Sequence, residues 1–140
     1  RLLTSCFPKR GLMRREEIRT EAAPAPVGPY SQAIRAGGLL FASGQIPLDP
    51  ATGKIVTGEI EVEARQVLAN LAAVLEAGGS GMDRVVKATV YLTDLSLFPR
   101  VNAIYAESFS AKPAPARVTV GVASLPLGAR VEIDAIALCD

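Results

Sequence analysis

The sequence has no histidine, no tryptophan and only two cysteines in 140 residues. Without histidine, a serine–histidine triad, a histidine-ligated zinc ion and imidazole acid–base catalysis are excluded. Cys6 and Cys139 lie near opposite ends of the chain and form neither a disulfide framework nor a paired metal motif, which is typical of a reducing compartment. Any reaction must therefore use Arg, Glu, Asp, Ser, Thr, Tyr, backbone groups and water, and we predict no metal site.

Long apolar runs and a strong net charge are also missing. No apolar run approaches the roughly 20 residues that span a bilayer, so we expect no membrane partner. The formal net charge is +1, and phosphate binding needs a clustered basic surface, so we expect no nucleic-acid partner. With 49% hydrophobic and 21% charged residues, the composition predicts one globular domain.

The first 19 residues lack sustained periodicity and are predicted to be a disordered tail, which leaves a single domain over residues 20–140. Met13 is a candidate native initiator, with residues 1–12 as a non-native remnant. The alternative is a trimmed targeting segment, since the stretch contains arginine and no acidic residue before Glu16. The first reading places the protein in the cytoplasm, and the second places it in a mitochondrion or plastid.

Hydrophobic periodicity predicts an α+β fold of order ββαβαββ, with two helices on one face of a mixed sheet. The open face would still carry Val and Ala side chains, and such a surface usually means association, so we expect a homo-oligomer. The predicted segments are strands Tyr30–Ala36, Leu39–Gln45 and Val85–Leu92, helices Glu59–Ala77 and Leu97–Phe109, and two strands within Pro113–Leu138.

The last two strands are predicted to pair as a hairpin through a Leu-Pro-Leu-Gly turn. Alternation places a row of valines on one side of the first strand and Arg117 and Thr119 on the other. In the second strand, Arg130, Glu132 and Asp134 lie on the face opposite an apolar row. We interpret Arg130 and Asp134 as solvent-facing. Whether Arg117 and Glu132 share a face depends on the strand register, which the pattern leaves open.

Other motifs favour structural interpretations when each is taken alone. Gly78–Gly81 lacks the Lys and Ser/Thr of a phosphate-binding loop and ends a helix. Ser43 lacks the flanking glycine and the histidine of a nucleophile elbow. Tyr30 after Gly28-Pro29 is typical of a packed aromatic, and Asn102 beside a helix core face is typical of a solvent-facing side chain.

Five segments together resemble the RidA/YjgF family of imine deaminases, in order and over residues 20–140. The segments are APVGPYSQAI, FASGQIPLDPATGKI, VVKATVYLTDL, FPRVNAIYAESF and PARVTVGVASLPLGARVEIDAIA. The resemblance implies a chorismate-mutase-like fold, a homotrimer whose sheets form a barrel, pockets at the subunit interfaces, and no cofactor.

The same resemblance implies roles for individual residues. Arg117 of the PAR motif would bind the substrate carboxylate, and Glu132 of the VEI motif would lie near the attacking water. Thr119 departs from the family pattern, in which cysteine is common, and implies at most a hydroxyl contact. The remaining residues implied to line the pocket are Tyr30, Ser43 and Asn102.

The implied activity is that of a 2-iminobutanoate/2-iminopropanoate deaminase, which hydrolyses imino or enamine acids from pyridoxal-phosphate dehydratases to 2-keto acids and ammonia. A guanidinium can hold a planar carboxylate by two parallel hydrogen bonds, which fixes the imine carbon for attack by water. Glu132 would orient and deprotonate that water, and a nearby Arg117 would keep it ionised. The alternative is a non-catalytic, carboxylate-binding or chaperone-like protein that uses the same pocket. A ribonuclease or translation inhibitor is a third class, which the low net charge and the lack of histidine disfavour.

Overall fold

The computed structural model describes residues 14–140, which form one six-stranded mixed sheet with two α-helices against one face. The predicted α+β class, both helices and a strand in each of the five predicted strand segments are confirmed. Within residues 14–140, no helix has the length and apolar character that a bilayer span requires. The elements are β1 (Glu16–Ile18), β2 (Ala33–Ala36), β3 (Leu39–Gln45), α1 (Ile60–Ala77), β4 (Val85–Leu92), α2 (Phe98–Ser108), β5 (Ala116–Gly121) and β6 (Val131–Leu138).

The strand order is β1-β2-β3-β6-β4-β5, so the predicted hairpin of the last two strands is wrong. Strand β4 lies between them, antiparallel to β6 and parallel to β5. The reason is that α2 connects β4 to β5, and a helical crossover brings two strands together in parallel. The Leu-Pro-Leu-Gly segment forms a short helical turn, Pro126–Gly128, in a longer connection that passes over β4.

The predicted tail is also too long, because Glu16–Ile18 belong to the sheet. Strand β1 pairs with β2, Ile18 is buried, and Arg35 donates a hydrogen bond of 3.0 Å to Glu16. The prediction failed because three residues are too few to establish a period. Met13 and the interpretation of residues 1–12, including their bearing on localisation, lie outside the described residues.

Strand β2 begins three residues later than predicted. The backbone N–H of Tyr30 donates to the carbonyl of Gly28 at 2.9 Å, so Tyr30 lies in a tight turn before the strand. Proline at position 29 favours such a turn. The side chain of Tyr30 is consequently half exposed rather than packed into the core.

The core lies between the sheet and the helices, and α1 packs against β3, β6 and α2. The opposite face of the sheet is open, and Val118 and Val120 of β5 are 42% and 36% exposed there. The alternation placed this valine row on the side opposite Arg117 and Thr119. The pairing assigns the row to the open face, since Arg117 and Thr119 adjoin Ala88 and Val90 of β4, which face the helices.

Asn70 of α1 anchors the loop that follows β3. It is 1% exposed, its side-chain amide donates to the carbonyls of Ile46 (3.1 Å) and Leu48 (2.8 Å), and its oxygen accepts from Gln66 (2.9 Å). A buried amide that forms all of its hydrogen bonds stabilises the fold. Removing it would leave the buried carbonyl groups without partners, which lowers the free energy of unfolding. Asn70 therefore fixes the loop beside the sheet.

We expect Asn70→Ala to lower the free energy of unfolding by about 3 kcal/mol, because it removes three hydrogen bonds worth about 1 kcal/mol each. Gln66→Ala, which removes only one of them, is the matched control and should cost about 1 kcal/mol. Denaturant unfolding of both variants provides the measurement. Equal losses for the two would contradict the anchoring role of Asn70.

Candidate functional site

The predicted site residues divide into two groups on opposite faces of the sheet. Arg117 adjoins Ala88 of β4, which is buried beneath the helices, whereas Glu132 adjoins Tyr91, on the open face. Since neighbouring residues on paired strands point to the same side, Arg117 and Glu132 do not meet within one chain. The open question about the register is thereby answered, and the two residues lie apart.

The arginine half-site consists of Arg117, Asn102 and Thr119 with two aromatic rings of α2. The Arg117 Nη1 group donates to Asn102 Oδ1 at 2.6 Å, so Asn102 contacts the arginine rather than only solvent. Thr119 lies two residues along the same face of β5, and its hydroxyl is buried without a partner in the described part of the chain. These three predicted residues are therefore brought together.

The two aromatic residues of this half-site, Phe98 and Tyr105, were not among the predicted site residues. The guanidinium carbon of Arg117 lies 4.7 Å from the centre of the Tyr105 ring and 5.3 Å from that of Phe98. The available signal was spacing, because Phe98, Asn102 and Tyr105 are four and three residues apart and so share one helix stripe.

The glutamate half-site consists of Glu132, Tyr30 and Ser43 with the backbone at Gly44. Glu132 and Tyr30 line a cavity of about 130 Å³ with Gly44, and Ser43 precedes that glycine. A Cβ atom at Gly44 would lie 2.1 Å from Glu132 Oε2, so only glycine lets the carboxylate rest against this strand. The Ser43 hydroxyl donates to the Ser31 carbonyl at 2.6 Å, which leaves it able to accept a hydrogen bond.

Burial raises the pKa of the Glu132 carboxyl above its ordinary value, and the negative charge of Asp134 raises it further. Within the single chain, Arg117 does not lower this pKa, because the sheet separates the two side chains. Asp134 accepts a hydrogen bond of 2.9 Å from the Tyr91 hydroxyl and is part of the same face.

Arg130 was expected to face solvent, and it instead pairs with the buried carboxylate of Glu63 near the start of α1. It also donates to the carbonyl of Gly58 at 2.7 Å. Arg130 immediately precedes β6, so these contacts tie the beginning of that strand to α1. The carboxylate of Glu132 is thereby carried on a firmly held strand.

Two negative findings limit the chemistry of the described residues. Among residues 14–140, no three His, Cys, Asp or Glu side chains lie close enough to hold a metal ion. A larger and more open cavity of about 570 Å³ lies between β1 and the following linker, where its lining includes Tyr30 and Gln32 but neither Arg117 nor Glu132. We therefore assign the candidate chemistry to the two half-sites.

Asp134→Asn should lower the pKa of Glu132, since it removes a neighbouring negative charge and keeps an acceptor for Tyr91. Because a raised carboxyl pKa means that the folded state holds its proton more tightly, the stability contribution of Glu132 is present at low pH and lost as pH rises through the folded pKa. Carbon NMR of labelled glutamate carboxyls provides the titration.

In an Arg117→Ala background, where no Arg117 guanidinium can approach the carboxylate, the midpoint for Glu132 should exceed the ordinary glutamate value, and Asp134→Asn should shift it down. Asp140→Asn is the control, because Asp140 pairs with Arg84 and is distant in the sheet register. A midpoint at or below the ordinary value in that background would contradict the effect of burial.

An α+β chain with an arginine half-site and a glutamate half-site can bind a small carboxylate and a water molecule. The chain matches the family model described as endoribonuclease L-PSP over residues 20–139. It is 54% identical over 123 residues to a RutC family protein of Pyrococcus horikoshii, which covers 88% of this chain and 97% of that protein.

A second relative is the chloroplastic reactive intermediate deaminase A of Arabidopsis thaliana, 50% identical over 89% of this chain and 66% of that protein. A solved structure of a conserved Rid family protein from Yersinia pestis is 48% identical, with a TM-score of 0.87 over 89% of this chain and 99% of that one. The chain therefore belongs to the endoribonuclease L-PSP family, which includes the RutC and Rid (RidA/YjgF) proteins.

Proposed function

We propose that the protein is a homotrimeric deaminase that hydrolyses 2-imino acids to 2-keto acids and ammonia. The observation that carries the proposal is the free guanidinium of Arg117. Within residues 14–140, Arg117 has one hydrogen bond, to Asn102, and no carboxylate partner. Its Nε and Nη2 groups therefore remain available as a parallel pair of donors, which matches a substrate carboxylate.

The glutamate half-site supports the hydrolytic step. A raised pKa makes the Glu132 carboxylate a stronger base than an ordinary glutamate, which suits proton transfer from water near neutral pH. Water adds to the carbon of the protonated imine and gives a proton to Glu132, which forms a carbinolamine. Glu132 returns that proton to the carbinolamine nitrogen. The C–N bond then breaks as the hydroxyl gives its proton to Glu132, which releases ammonia and leaves the 2-keto acid.

The separation of the half-sites supports assembly. Arg117 lies on an edge strand and Glu132 on the open face, so a complete site requires the arginine half-site of one copy to meet the glutamate half-site of another. The exposed Phe41, Val118 and Val120 of the open face favour burial against a second copy. A closed ring of three copies makes three equivalent sites, in line with the family resemblance.

The test of a shared site is complementation between two variants. Arg117→Ala and Glu132→Ala should each be nearly inactive, because every site in either homotrimer lacks one half. After mixing, unfolding and reassembly in equal amounts, about a quarter of the interfaces combine an intact arginine with an intact glutamate. Ammonia release from an imine generated by a dehydratase is the measurement.

Recovered activity near a quarter of the parent value is expected only if two chains contribute to each site. Each variant carried through the same unfolding cycle alone is the control and should remain inactive. Absence of recovery in mixed trimers of parental size would overturn the shared site.

Arg117→Lys retains the charge and loses the planar fork, so kcat/KM should fall by on the order of 10²-fold. Glu132→Gln keeps the shape and loses the base, so it should lower kcat more than it weakens binding of 2-oxobutanoate. Arg84→Lys, at a surface ion pair, is the matched arginine control. Parent-like turnover from a folded Arg117→Lys trimer would refute deamination at this site, and binding without turnover in the parent would favour the carboxylate-binding alternative.

A further inference from the structure

The guanidinium of Arg117 rests on a stripe of α2 formed by Phe98, Asn102 and Tyr105. Asn102 accepts one hydrogen bond, and the two rings lie within 5.3 Å of the guanidinium carbon. Such distances are within the range of cation–π attraction. Asn102 binds the Nη1 group, and the rings lie beside the guanidinium carbon. These contacts leave Nε and Nη2 without a hydrogen-bond partner among residues 14–140.

One hydrogen bond fixes a single point of a guanidinium and leaves its plane free to rotate. A ring beside the group restricts that rotation, since the attraction is greatest when the cation lies over the ring. Arg117 is exposed on an edge strand, so β5 alone provides little restraint on its long side chain. The rings of Phe98 and Tyr105 in α2 therefore restrict the orientation of the Arg117 guanidinium plane.

We infer that Tyr105 is a positioning residue for Arg117, and that its ring, assisted by Phe98, presents the Nε–Nη2 edge of the guanidinium to the substrate carboxylate. The inference rests on the proposed function, since it concerns the arginine that binds the carboxylate. It adds to the site a residue that acts through Arg117. An arginine ordered before binding loses less entropy when the carboxylate arrives.

The Tyr105 hydroxyl separates the role of the ring from that of the polar group. Tyr105 is 7% exposed, and its hydroxyl has no hydrogen-bond partner in the described residues. A buried hydroxyl without a partner is destabilising, so Tyr105→Phe should not reduce stability. The phenylalanine variant retains the ring beside Arg117, whereas Tyr105→Leu removes it.

Phe109 provides a matched control for the loss of an aromatic side chain. It is buried, and its ring centre lies 4.3 Å from that of Tyr105, yet it makes no ring contact with Arg117. Phe109→Leu therefore disturbs the same aromatic pair without removing the ring beside the guanidinium. Any effect that Tyr105→Leu shows beyond Phe109→Leu reports on the arginine.

The experiment measures the affinity of the assembled protein for 2-oxobutanoate by calorimetry, with melting curves and particle size for each variant. Tyr105→Leu should weaken binding about tenfold and Tyr105→Phe about twofold, since the cation–π attraction of a partly desolvated pair has that scale. Phe109→Leu should lower the melting temperature and leave the affinity unchanged. Equal losses of affinity in the two leucine variants would overturn the inference.

A second measurement does not depend on the ligand or on folding of the Tyr105→Leu variant. Ring currents shift the NMR signals of the Arg117 side chain in the parent, and Tyr105→Phe should retain most of that shift. Phe98→Leu, at a partly buried position and farther from the guanidinium, should remove a smaller part of that shift. Unshifted Arg117 signals in the parent would overturn the inference.

The two proposals fail in different ways. A parent that binds 2-oxobutanoate with the expected variant order but releases no ammonia would refute deamination and support the positioning role. A parent that shows no binding of 2-oxobutanoate would overturn both the carboxylate role of Arg117 and the inference built on it. Full turnover with parental affinity in Tyr105→Leu would support deamination and refute the positioning role.

Discussion

The position of β4 between β5 and β6 is the constraint on which the candidate site depends. Side chains alternate along each strand, and paired strands keep the alternation in register, so the pairing of β4 assigns each neighbour's residues to a face. Arg117 is thereby directed toward α2 and Glu132 toward the open face. No rotation of either side chain can bring the two together through the sheet.

The same constraint explains why the valine row of β5 faces away from the helices. The side chains of an edge strand are covered only where a helix packs against them. Helix α2 contacts β5 through a stripe that contains the polar residue Asn102 as well as aromatic residues. Arg117 finds a hydrogen-bond acceptor and two rings there, whereas Val118 and Val120 remain on the open face. An exposed valine row is costly for a single chain in water, and burial by a second copy would offset that cost.

The sequence predicts the elements well and their arrangement less well. Strong periodicity located α1, β3 and β4 closely, because each buries one continuous face. The order of the last strands could not be read from alternation, since β5 shows the same period whether it pairs with β6 or with β4. The alternation drew attention to Arg117 and Glu132, and the roles predicted for them came from the resemblance. The contact of Tyr105 with Arg117 could not be predicted, because a ring in the core and a ring beside a cation share the same helical spacing.

The separation of Arg117 and Glu132 also has an electrostatic consequence. In the described part of one chain, Glu132 is half-buried beside Asp134 and forms no ion pair, and its pKa is raised. If a second copy brought its guanidinium near that carboxylate, the pKa would fall and the base would weaken. A bound substrate carboxylate would largely neutralise the arginine and restore part of the basicity. In the proposed assembly, the substrate would therefore do more than occupy the site, because its own charge would prepare Glu132 to accept a proton from water.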